Sequence, residues 1–284
     1  MAKKWDVFPS TSLRVGPDFR LADFDASATP GFSGDENDAA KMMKKHAKAL
    51  SDLQERLFAD GRAGGTTSVL LVLQGMDTAG KGGIVRHVVG MVDPQGVQHH
   101  AFGKPTDDEL AHHYLWRIRN QLPVAGKIGV FDRSHYEDVL IVRVHDLVPG
   151  SPWEQRYAEI NAFEAEIAAA GTHVIKCAML ISADEQARRL EQRLERPDKY
   201  WKFNPSDIDE RAHWHEYQEV YQDMFDATST QAAPWYAVPA NNKWFARLAV
   251  GSLLFEALTK LNLGWPPADF DVAEQKQRLA DLKL

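Results

Sequence analysis

The fold is decided by residues 68–84, which read SVLLVLQGMDTAGKGGI. The apolar run from Val69 to Leu73 is typical of a strand buried on both faces of a parallel sheet. It leads into the spacing G-x-x-x-x-G-K between a strand and a helix, where glycines let backbone N–H groups converge on a phosphate and the helix N-terminus adds positive charge. A plain glycine-rich turn is the alternative interpretation, and the strand context argues against it. The predicted phosphate-binding residues of this loop are Gly75, Ala79, Gly80, Gly82 and Gly83, with Lys81 as a mobile charge.

The residue after the lysine departs from the usual pattern. Ser or Thr normally stands there and binds magnesium through its hydroxyl, whereas this chain has Gly82. A magnesium ligand must then come from elsewhere, and the nearest carboxylate is Asp77 inside the loop. A carboxylate among bound phosphates is unfavourable unless it binds a metal or orients a donor. Asp77 is therefore a candidate metal ligand, with stabilisation of the loop through backbone hydrogen bonds as the alternative.

A second carboxylate lies at the end of a predicted strand, in the segment GVFDRSHYED at residues 129–138. Ligands of open α/β sheets bind at the carboxyl ends of the strands. Asp132 can hold magnesium there, directly or through water, and Arg133 can neutralise phosphate charge. Alone, this segment could be a salt-bridged loop. Together with the loop at 75–81 it predicts a phosphate and metal site in which Asp77 and Asp132 are the metal residues.

Residues 188–202 are locally basic in an acidic chain. They contain six Lys and Arg and three Asp and Glu, a local net charge of +3, whereas the whole chain carries −7. Arg189, Arg193 and Arg196 are three or four residues apart and share one face of a helix. One interpretation is a solvated helix face with ion pairs such as Arg189 with Glu185; the other, favoured after a phosphate loop, is a basic lid that closes over phosphates. The predicted phosphate-binding residues of the lid are Arg188, Arg189, Lys199 and Lys202.

Strand and helix patterns alternate along the chain, with further strands at 97–102, 127–131, 173–181 and 235–238. Helix patterns lie at 36–57, 84–92, 106–121, 151–170 and 244–261, and Ser182 with Glu185 caps another helix. Strands separated by helices of roughly 10 to 20 residues imply βαβ units, so the predicted fold class is α/β with a parallel sheet. We expect an N-terminal arm at 1–35, a single domain at 36–265 with a lid at about 184–207, and a helical tail at 266–284.

Composition excludes several classes of protein. Hydrophobic residues make up 44% of the 284 residues, enough to bury a core, and the acidic net charge argues against a protein that coats nucleic acid. Cys177 is the one cysteine, so an intramolecular disulfide and a cysteine-based zinc site are excluded. The N-terminal residues lack the apolar stretch of a secretory signal, and no apolar run approaches the roughly 18 residues of a membrane span. We therefore expect a cytoplasmic protein with no nucleic-acid or membrane partner.

Four motifs together resemble the polyphosphate kinase 2 family of P-loop kinases. They are G-x-D-x-x-G-K-G at 75–82, D-R-S-x-Y at 132–136, the lid stretch 193–203 that ends in KYWKF, and APW at 233–235 with K-W-x-x-R at 243–247. The resemblance covers roughly residues 13–265 in order and spacing. It implies a three-layer α/β/α P-loop kinase fold similar to that of thymidylate kinase, with a parallel sheet and a helical lid.

The resemblance also implies an activity, phosphoryl transfer between inorganic polyphosphate and nucleoside mono- and diphosphates, with Mg²⁺ or Mn²⁺ as cofactor. The terminal phosphate oxygen of the nucleotide would attack the end phosphorus of polyphosphate in line, so positioning and charge neutralisation would dominate catalysis. The family further implies a homodimer or homotetramer. Matched by position, its essential residues correspond to Asp77, Lys81, Asp132, Arg133 and Arg193.

The acceptor and two competing functions stay open. A glutamate after the tyrosine, here Glu137 after Tyr136, resembles the sequence of family members that accept both mono- and diphosphates. Glu137 is therefore predicted to select the acceptor. An ATP-dependent nucleoside monophosphate kinase of the thymidylate kinase type shares the loop, but Gly82 in place of Ser or Thr argues against it. A non-catalytic phosphate- or nucleotide-binding protein is the other alternative, and the joint presence of Asp77, Lys81 and the Asp132-Arg133 pair argues against it.

Overall fold

The computed structural model describes residues 5–147 and 152–282, and its centre is a single five-stranded sheet. Its strands are β1 (Ser68–Gln74), β2 (Val97–Ala101), β3 (Ile128–Asp132), β4 (Thr172–Leu180) and β5 (Trp235–Pro239). They lie in the order β2-β3-β1-β4-β5, and every neighbouring pair is parallel. The predicted parallel sheet is confirmed, and β1, the strand that leads into the phosphate loop, lies in its middle.

Helices cover both faces of the sheet and continue to the C-terminal tail. They are α1 (Pro9–Ser12), α2 (Glu36–Arg62), α3 (Lys81–His87), α4 (Asp107–Leu110), α5 (Leu115–Arg119), α6 (Ile141–Val144), α7 (Pro152–Ala169), α8 (Ala183–Glu195), α9 (Ser206–Ala212), α10 (Trp214–Thr228), α11 (Lys243–Lys260) and α12 (Val272–Asp281). The helix predicted from residue 151 is described from Pro152 onward, because residue 151 lies outside the described residues.

Alternate residues of β1 enter two separate hydrophobic cores. Leu71 and Leu73 pack into the core that contains α2 and α11, and Leu70 and Val72 pack into the core that contains α7 and α10. All four side chains are fully buried. Burial on both faces explains why β1 reads as a continuous apolar run rather than as an alternating one. The predicted three-layer α/β/α arrangement is confirmed.

The N-terminal arm is irregular, as expected, but it is packed onto the domain. The backbone N–H of Val15 donates to the Trp235 carbonyl at 2.9 Å, and the N–H of Ala237 donates to the Leu13 carbonyl at 2.8 Å. The arm thereby covers the open edge of β5, an edge that would otherwise expose unpaired backbone groups. Trp5 and Phe32 also lie in the core that contains α2 and α11.

The continuous helix predicted at 106–121 is wrong, because this segment forms the two short helices α4 and α5. Its start is as predicted, since the Thr106 and Glu109 side chains form a reciprocal capping box. No residue of α4 is buried, whereas α5 buries Leu115 and Ile118. α4 therefore has no apolar stripe that packs against the domain, and the helical periodicity does not extend from α4 into α5.

The predicted helical tail contains α12, which begins at an Asp271 cap and buries none of its residues. Among the described residues, no helix combines the length and apolar character needed to cross a membrane.

Candidate active site

The loop between β1 and α3 has the backbone conformation of an anion cradle. Gly80 and Thr78 have positive φ angles of 108° and 65°, which turn the chain sharply before α3 begins at Lys81. N–H groups in the first turn of a helix have no acceptor within that helix, so they can bind an anion. A Cβ atom built on Gly82 or Gly83 would meet no described atom within 4 Å, which leaves this face of the loop open.

Lys81 is held in place by the loop itself. Its Nζ donates to the Gly75 carbonyl at 2.6 Å and to the Met76 carbonyl at 3.4 Å, and the residue is 9% exposed. Burial lowers the pKa of Lys81, although the neighbouring Asp77 opposes that shift. The lysine predicted as a mobile charge is therefore already fixed at the loop.

The end of β3 brings Asp132 and Arg133 beside the loop. Asp132 pairs with Leu73 of β1, and the N–H of Arg133 donates to the Leu73 carbonyl at 3.0 Å. Nη2 of Arg133 donates to Oδ1 of Asp77 at 3.0 Å. Burial opposes ionisation of Arg133, but Glu137 and Asp77 outweigh it and raise the pKa of the guanidinium. Asp77 thus has a charged partner, in addition to its predicted role toward metal.

One cavity of about 330 Å³, here named the central cavity, collects the predicted catalytic residues. Its lining contains Asp77, Lys81, Asp132, Arg133 and Arg193, together with loop residues Ala79, Gly80, Gly82 and Gly83. Gly75 lies deeper, because a Cβ atom there would stand 2.6 Å from the Met179 carbonyl of β4. Close packing against β4 therefore requires a glycine at this position.

Asp77 and Asp132 fit the predicted divalent cation. Both carboxylates line the central cavity beside the phosphate loop. In the two described ranges, no group of three or more His, Cys, Asp or Glu residues could hold a metal. Mg²⁺ is usually bound through one or two carboxylates and completes its coordination with substrate phosphates and water. Two carboxylates facing a phosphate cradle match that requirement.

The segment predicted as a lid forms α8 and the 3₁₀ turn Pro197–Lys202, and α8 begins one residue before the predicted start. Arg193 of α8 donates to Oδ2 of Asp207 at 3.0 Å and to the Lys202 carbonyl at 2.9 Å. These bonds tie the arginine to the far end of the lid while it lines the central cavity. Trp201, which lies between Arg193 and Asp207 in the sequence, is 78% exposed.

The two adjacent arginines of α8 have opposite surroundings. The Arg188 side chain is 51% exposed and pairs bidentately with Glu185 at 2.7 and 2.6 Å. The Arg189 side chain is 5% exposed, pairs with Glu185 at 2.6 Å and donates to the Thr78 carbonyl at 2.8 Å. The ion pair of the alternative interpretation is therefore present. Both arginines, which were predicted to bind phosphate, donate to protein groups in this structure, and phosphate binding by them stays a prediction.

A second cavity of about 320 Å³, here named the basic cavity, adjoins the central one and shares Gly80, Arg193 and Lys202 with it. None of the described residues that line it is acidic. Predicted phosphate residues Lys199 and Lys202 lie here, whereas Arg188 is not part of the lining. Its Lys and Arg side chains are Arg86, Arg189, Arg193, Arg196, Lys199, Lys202, Lys243 and Arg247.

Four of these cations were not assigned as site residues from the sequence, and one of them, Arg196, lies in the predicted lid. Arg86 comes from α3, and Lys243 and Arg247 come from the start of α11. A signal was present for Lys243 and Arg247, because they begin and end the K-W-x-x-R motif at 243–247. In the structure Lys243 is the first residue of α11, where a cation opposes the helix dipole. Burial and the nearby Arg189 lower the pKa of Lys243. An anion bound in the basic cavity would offset this unfavourable position.

A third cavity of about 210 Å³, here named the acidic cavity, lies on the other side of Asp77 and Arg133. Glu137, the predicted acceptor-selecting residue, lines it and accepts a hydrogen bond from Gln74 Nε2 at 2.5 Å. Burial raises the pKa of Asp207 in the same wall, and Asp77 adds to that shift. Residues of this wall that the sequence did not suggest are Gln74, Asp207, Glu210, Tyr217 and Tyr221.

A buried polar network supports the turn that carries Glu137. Nζ of Lys176 donates to Glu164 at 2.6 Å, to the Tyr136 hydroxyl at 2.7 Å and to the Thr228 carbonyl at 2.8 Å. Lys176 is fully buried, which lowers its pKa while Glu164 opposes the shift. The signal in the sequence was a lysine inside the apolar run of β4. Its partners could not be identified there, because they come from α7, α10 and the turn after β3.

Comparison with known proteins gives the family. Residues 33–263 match the family described as Polyphosphate kinase 2. An AMP/ADP-polyphosphate phosphotransferase of Meiothermus ruber is 44% identical over 255 residues, which are 89% of this chain and 94% of that protein. An ADP-polyphosphate phosphotransferase of Rhodopseudomonas palustris is 41% identical over 238 residues, 80% of this chain and 81% of that protein.

A solved structure agrees with these sequence relationships. The crystal structure of Polyphosphate Kinase 2 from Arthrobacter aurescens TC1 has a TM-score of 0.96, is 50% identical and covers 99% of both chains. The family match spans most of the chain, including the phosphate loop, the end of β3 and the lid. This chain therefore belongs to the polyphosphate kinase 2 family.

Proposed function

We propose that this protein transfers phosphoryl groups between inorganic polyphosphate and nucleotides, with ADP and AMP as acceptors. The observation that supports it best is the central cavity, where a phosphate loop, two carboxylates and four cationic side chains face one space. That space shares lining residues with the basic cavity on one side and with the acidic cavity on the other. The relatives from Meiothermus ruber and Rhodopseudomonas palustris carry the same class of activity in their names.

The two flanking cavities suit the two substrates. Polyphosphate is a polymer of negative charge, and eight Lys and Arg side chains line the basic cavity. The nucleoside part of a nucleotide is uncharged and carries ribose hydroxyls that donate hydrogen bonds, which the acidic cavity can accept through Glu137 and Asp207. The phosphates of both substrates then meet in the central cavity, beside Lys81.

The transfer itself needs little covalent chemistry from the protein. A terminal phosphate oxygen of the nucleotide forms a bond to the end phosphorus of polyphosphate as the bond from that phosphorus to the bridging oxygen breaks. The electron pair leaves with the shortened polyphosphate. The attacking oxygen is already anionic at neutral pH, so no side chain needs to remove a proton.

Positioning and neutralisation fall to the residues of the central cavity. Lys81 and Arg133 hold the transferring group, and Arg193 approaches it from the lid. Asp77 and Asp132 would hold Mg²⁺ or Mn²⁺, which supplies positive charge against the phosphate oxygens when bound. Fixed donors aimed at developing charge usually provide the largest part of such catalysis.

One assay tests the proposal and both alternatives. Purified protein, magnesium, polyphosphate and ADP should produce ATP, read by luciferase, and omission of polyphosphate should abolish the signal, because a nucleoside monophosphate kinase can form ATP and AMP from two ADP. Protein carrying Lys81→Ala, purified in parallel, controls for contaminating kinases. No ATP from the wild type would overturn the proposal, and phosphorylation of AMP by ATP alone would favour a nucleoside monophosphate kinase. Binding without turnover would indicate a non-catalytic protein.

Assembly into a homodimer or homotetramer stays a prediction, as does a cytoplasmic location. The tail offers apolar surface for assembly, because Trp265, Phe270 and Leu279 are all more than half exposed in this single chain. Light scattering coupled to size-exclusion chromatography measures the oligomeric state directly, and a monomer would contradict the prediction.

A further inference from the structure

Two successive carbonyl groups of the phosphate loop are held by side chains from the first half of α8. Nε2 of Gln186 donates to the Asp77 carbonyl at 3.4 Å, and Nη1 of Arg189 donates to the Thr78 carbonyl at 2.8 Å. Thr78 has a positive φ of 65°, a conformation that a β-branched residue rarely adopts. Such a conformation persists only where its surroundings fix it, so these two contacts matter to the shape of the loop.

The Arg189 guanidinium joins three segments of the chain. Besides the Thr78 carbonyl, its Nη2 donates to the Ala240 carbonyl at 2.6 Å and to the Asn241 carbonyl at 3.0 Å. Its Nε pairs with Glu185 on its own helix at 2.6 Å. The Arg189 side chain, which is 5% exposed, therefore connects α8 with the phosphate loop and with the turn between β5 and α11.

We infer that Arg189 is a positioning residue for phosphoryl transfer, acting through the phosphate loop rather than by binding phosphate. It holds the Thr78 carbonyl against α8, and it ties the loop to the helix that carries Arg193. Arg193 lies one helical turn further along α8 and lines the central cavity. A shift of α8 therefore moves Arg193 and, at the same time, the Arg189 guanidinium that donates to the Thr78 carbonyl. This inference rests on the proposed function, because its effect is measured on that reaction.

A change to lysine separates position from charge. The arginine fork presents five N–H donors in fixed directions, whereas lysine is a single flexible point charge. Lysine at this place keeps the charge next to the basic cavity but cannot reach acceptors on three segments. Many cations line that cavity, so polyphosphate affinity should persist while the loop loses its support.

The test is steady-state kinetics on R189K. We expect kcat to fall about 10- to 100-fold, the loss typical of a reacting group misplaced by about 1 Å. The KM for polyphosphate and its dependence on salt should stay within about twofold of wild type. R119K is the matched control, because Arg119 also pairs with a glutamate, Glu166, and lines none of the three cavities.

A double variant tests the link to the lid. If Arg189 and Arg193 act as one unit, R189K with R193K should lose less activity than the product of the two single losses. Strict multiplication of the two losses would overturn the link. An R189K enzyme with a normal kcat would overturn the positioning role. If its KM for polyphosphate were also raised, that result would identify Arg189 as a direct phosphate ligand.

E185Q keeps the inference testable if R189K does not fold. It removes the charge that pairs with Arg189 but keeps an acceptor in the same place. A positioning role predicts a lower kcat with unchanged KM for polyphosphate. A direct electrostatic role predicts the opposite, an unchanged kcat with a lower KM, because one negative charge beside the basic cavity is gone. An inactive wild type would count against the proposed function and not against this inference.

Discussion

The basic and acidic cavities on either side of the phosphate loop are built in different ways. In the basic cavity the outer cations are exposed, with the Arg196 side chain at 59% and the Lys199 side chain at 36%, and both pair with Asp198 at the surface. In the acidic cavity Gln74 and Tyr221 are each 2% exposed, and Glu137 is bound by Gln74. One side offers partly exposed charge and the other offers a buried, hydrogen-bonded shape.

This difference suits a polymer on one side and a small molecule on the other. A phosphate chain has the same charge in every unit, so exposed cations can bind it without a defined shape. A nucleoside has one shape and donates hydrogen bonds, so it needs fixed acceptors. Segregation of charge also explains how a chain with a net charge of −7 can attract a polyanion, because the carboxylates lie outside the lining of the basic cavity.

The largest expected effect lies where the two cavities meet. Lys81→Ala should lower turnover about 10²- to 10³-fold while the protein stays folded, because a preorganised donor to the transferring phosphate is lost. Initial rates with polyphosphate and ADP measure the effect, and circular dichroism checks the fold. Retention of more than a tenth of wild-type turnover, which is less than about 1.4 kcal/mol of barrier, would contradict the assignment of the loop.

The next effect concerns metal, on which both substrates would depend. Asp132→Asn and Asp77→Asn should lower turnover and raise the magnesium concentration for half-maximal rate, by roughly 10- to 100-fold if metal affinity falls as it does when groups around a metal site are lost. Asp77→Asn also releases Arg133, so Asp132→Asn is the cleaner variant. Titration of magnesium at saturating substrates measures this. An unchanged magnesium requirement in both variants would remove the carboxylates from the metal site.

The variants of the predicted lid should separate a role in turnover from a role in polyphosphate binding. Arg193→Ala should mainly lower kcat, by about tenfold or more, because its contact is made in the transition state. Lys199→Ala or Lys202→Ala should mainly raise the KM for polyphosphate, by about two- to fivefold, as expected for exposed charges. Salt at 0.5 M should raise that KM in the wild type, since it screens such charges. An effect of Arg193→Ala on KM alone, or no effect of salt, would contradict a basic lid.

The smallest effect should appear in the acidic cavity. Glu137→Gln keeps the shape and the contact with Gln74 but removes a charge, so the ratio of kcat/KM for AMP to that for ADP should change by about two- to fivefold. The KM for polyphosphate should stay constant, in contrast to the lid lysines. Parallel kinetics with both acceptors measure the ratio. A changed polyphosphate KM with an unchanged acceptor ratio would reverse the assignment of the two cavities.

Local sequence predicted those parts of the site whose geometry is set by neighbours in the chain. The apolar run of β1, the glycine spacing after it and the Asp132-Arg133 pair at the end of β3 each indicated a structure that the fold contains. Because parallel strands place their carboxyl ends at one edge of the sheet, the sequence alone predicted that the motifs after β1 and β3 lie together. The predicted helix at 106–121 failed because helical periodicity does not reveal whether a segment has a partner to pack against.

The adjacent arginines of α8 show what the sequence determined and what only the tertiary structure decided. The sequence determined that a basic helix follows a phosphate loop in a parallel α/β fold. It could not distinguish Arg188 from Arg189, although one side chain is 51% exposed and the other 5%. Consecutive residues of a helix point about 100° apart. Which of them turns toward the loop depends on how α8 packs against the Thr78 carbonyl and the turn after β5, and those groups are far away in the chain.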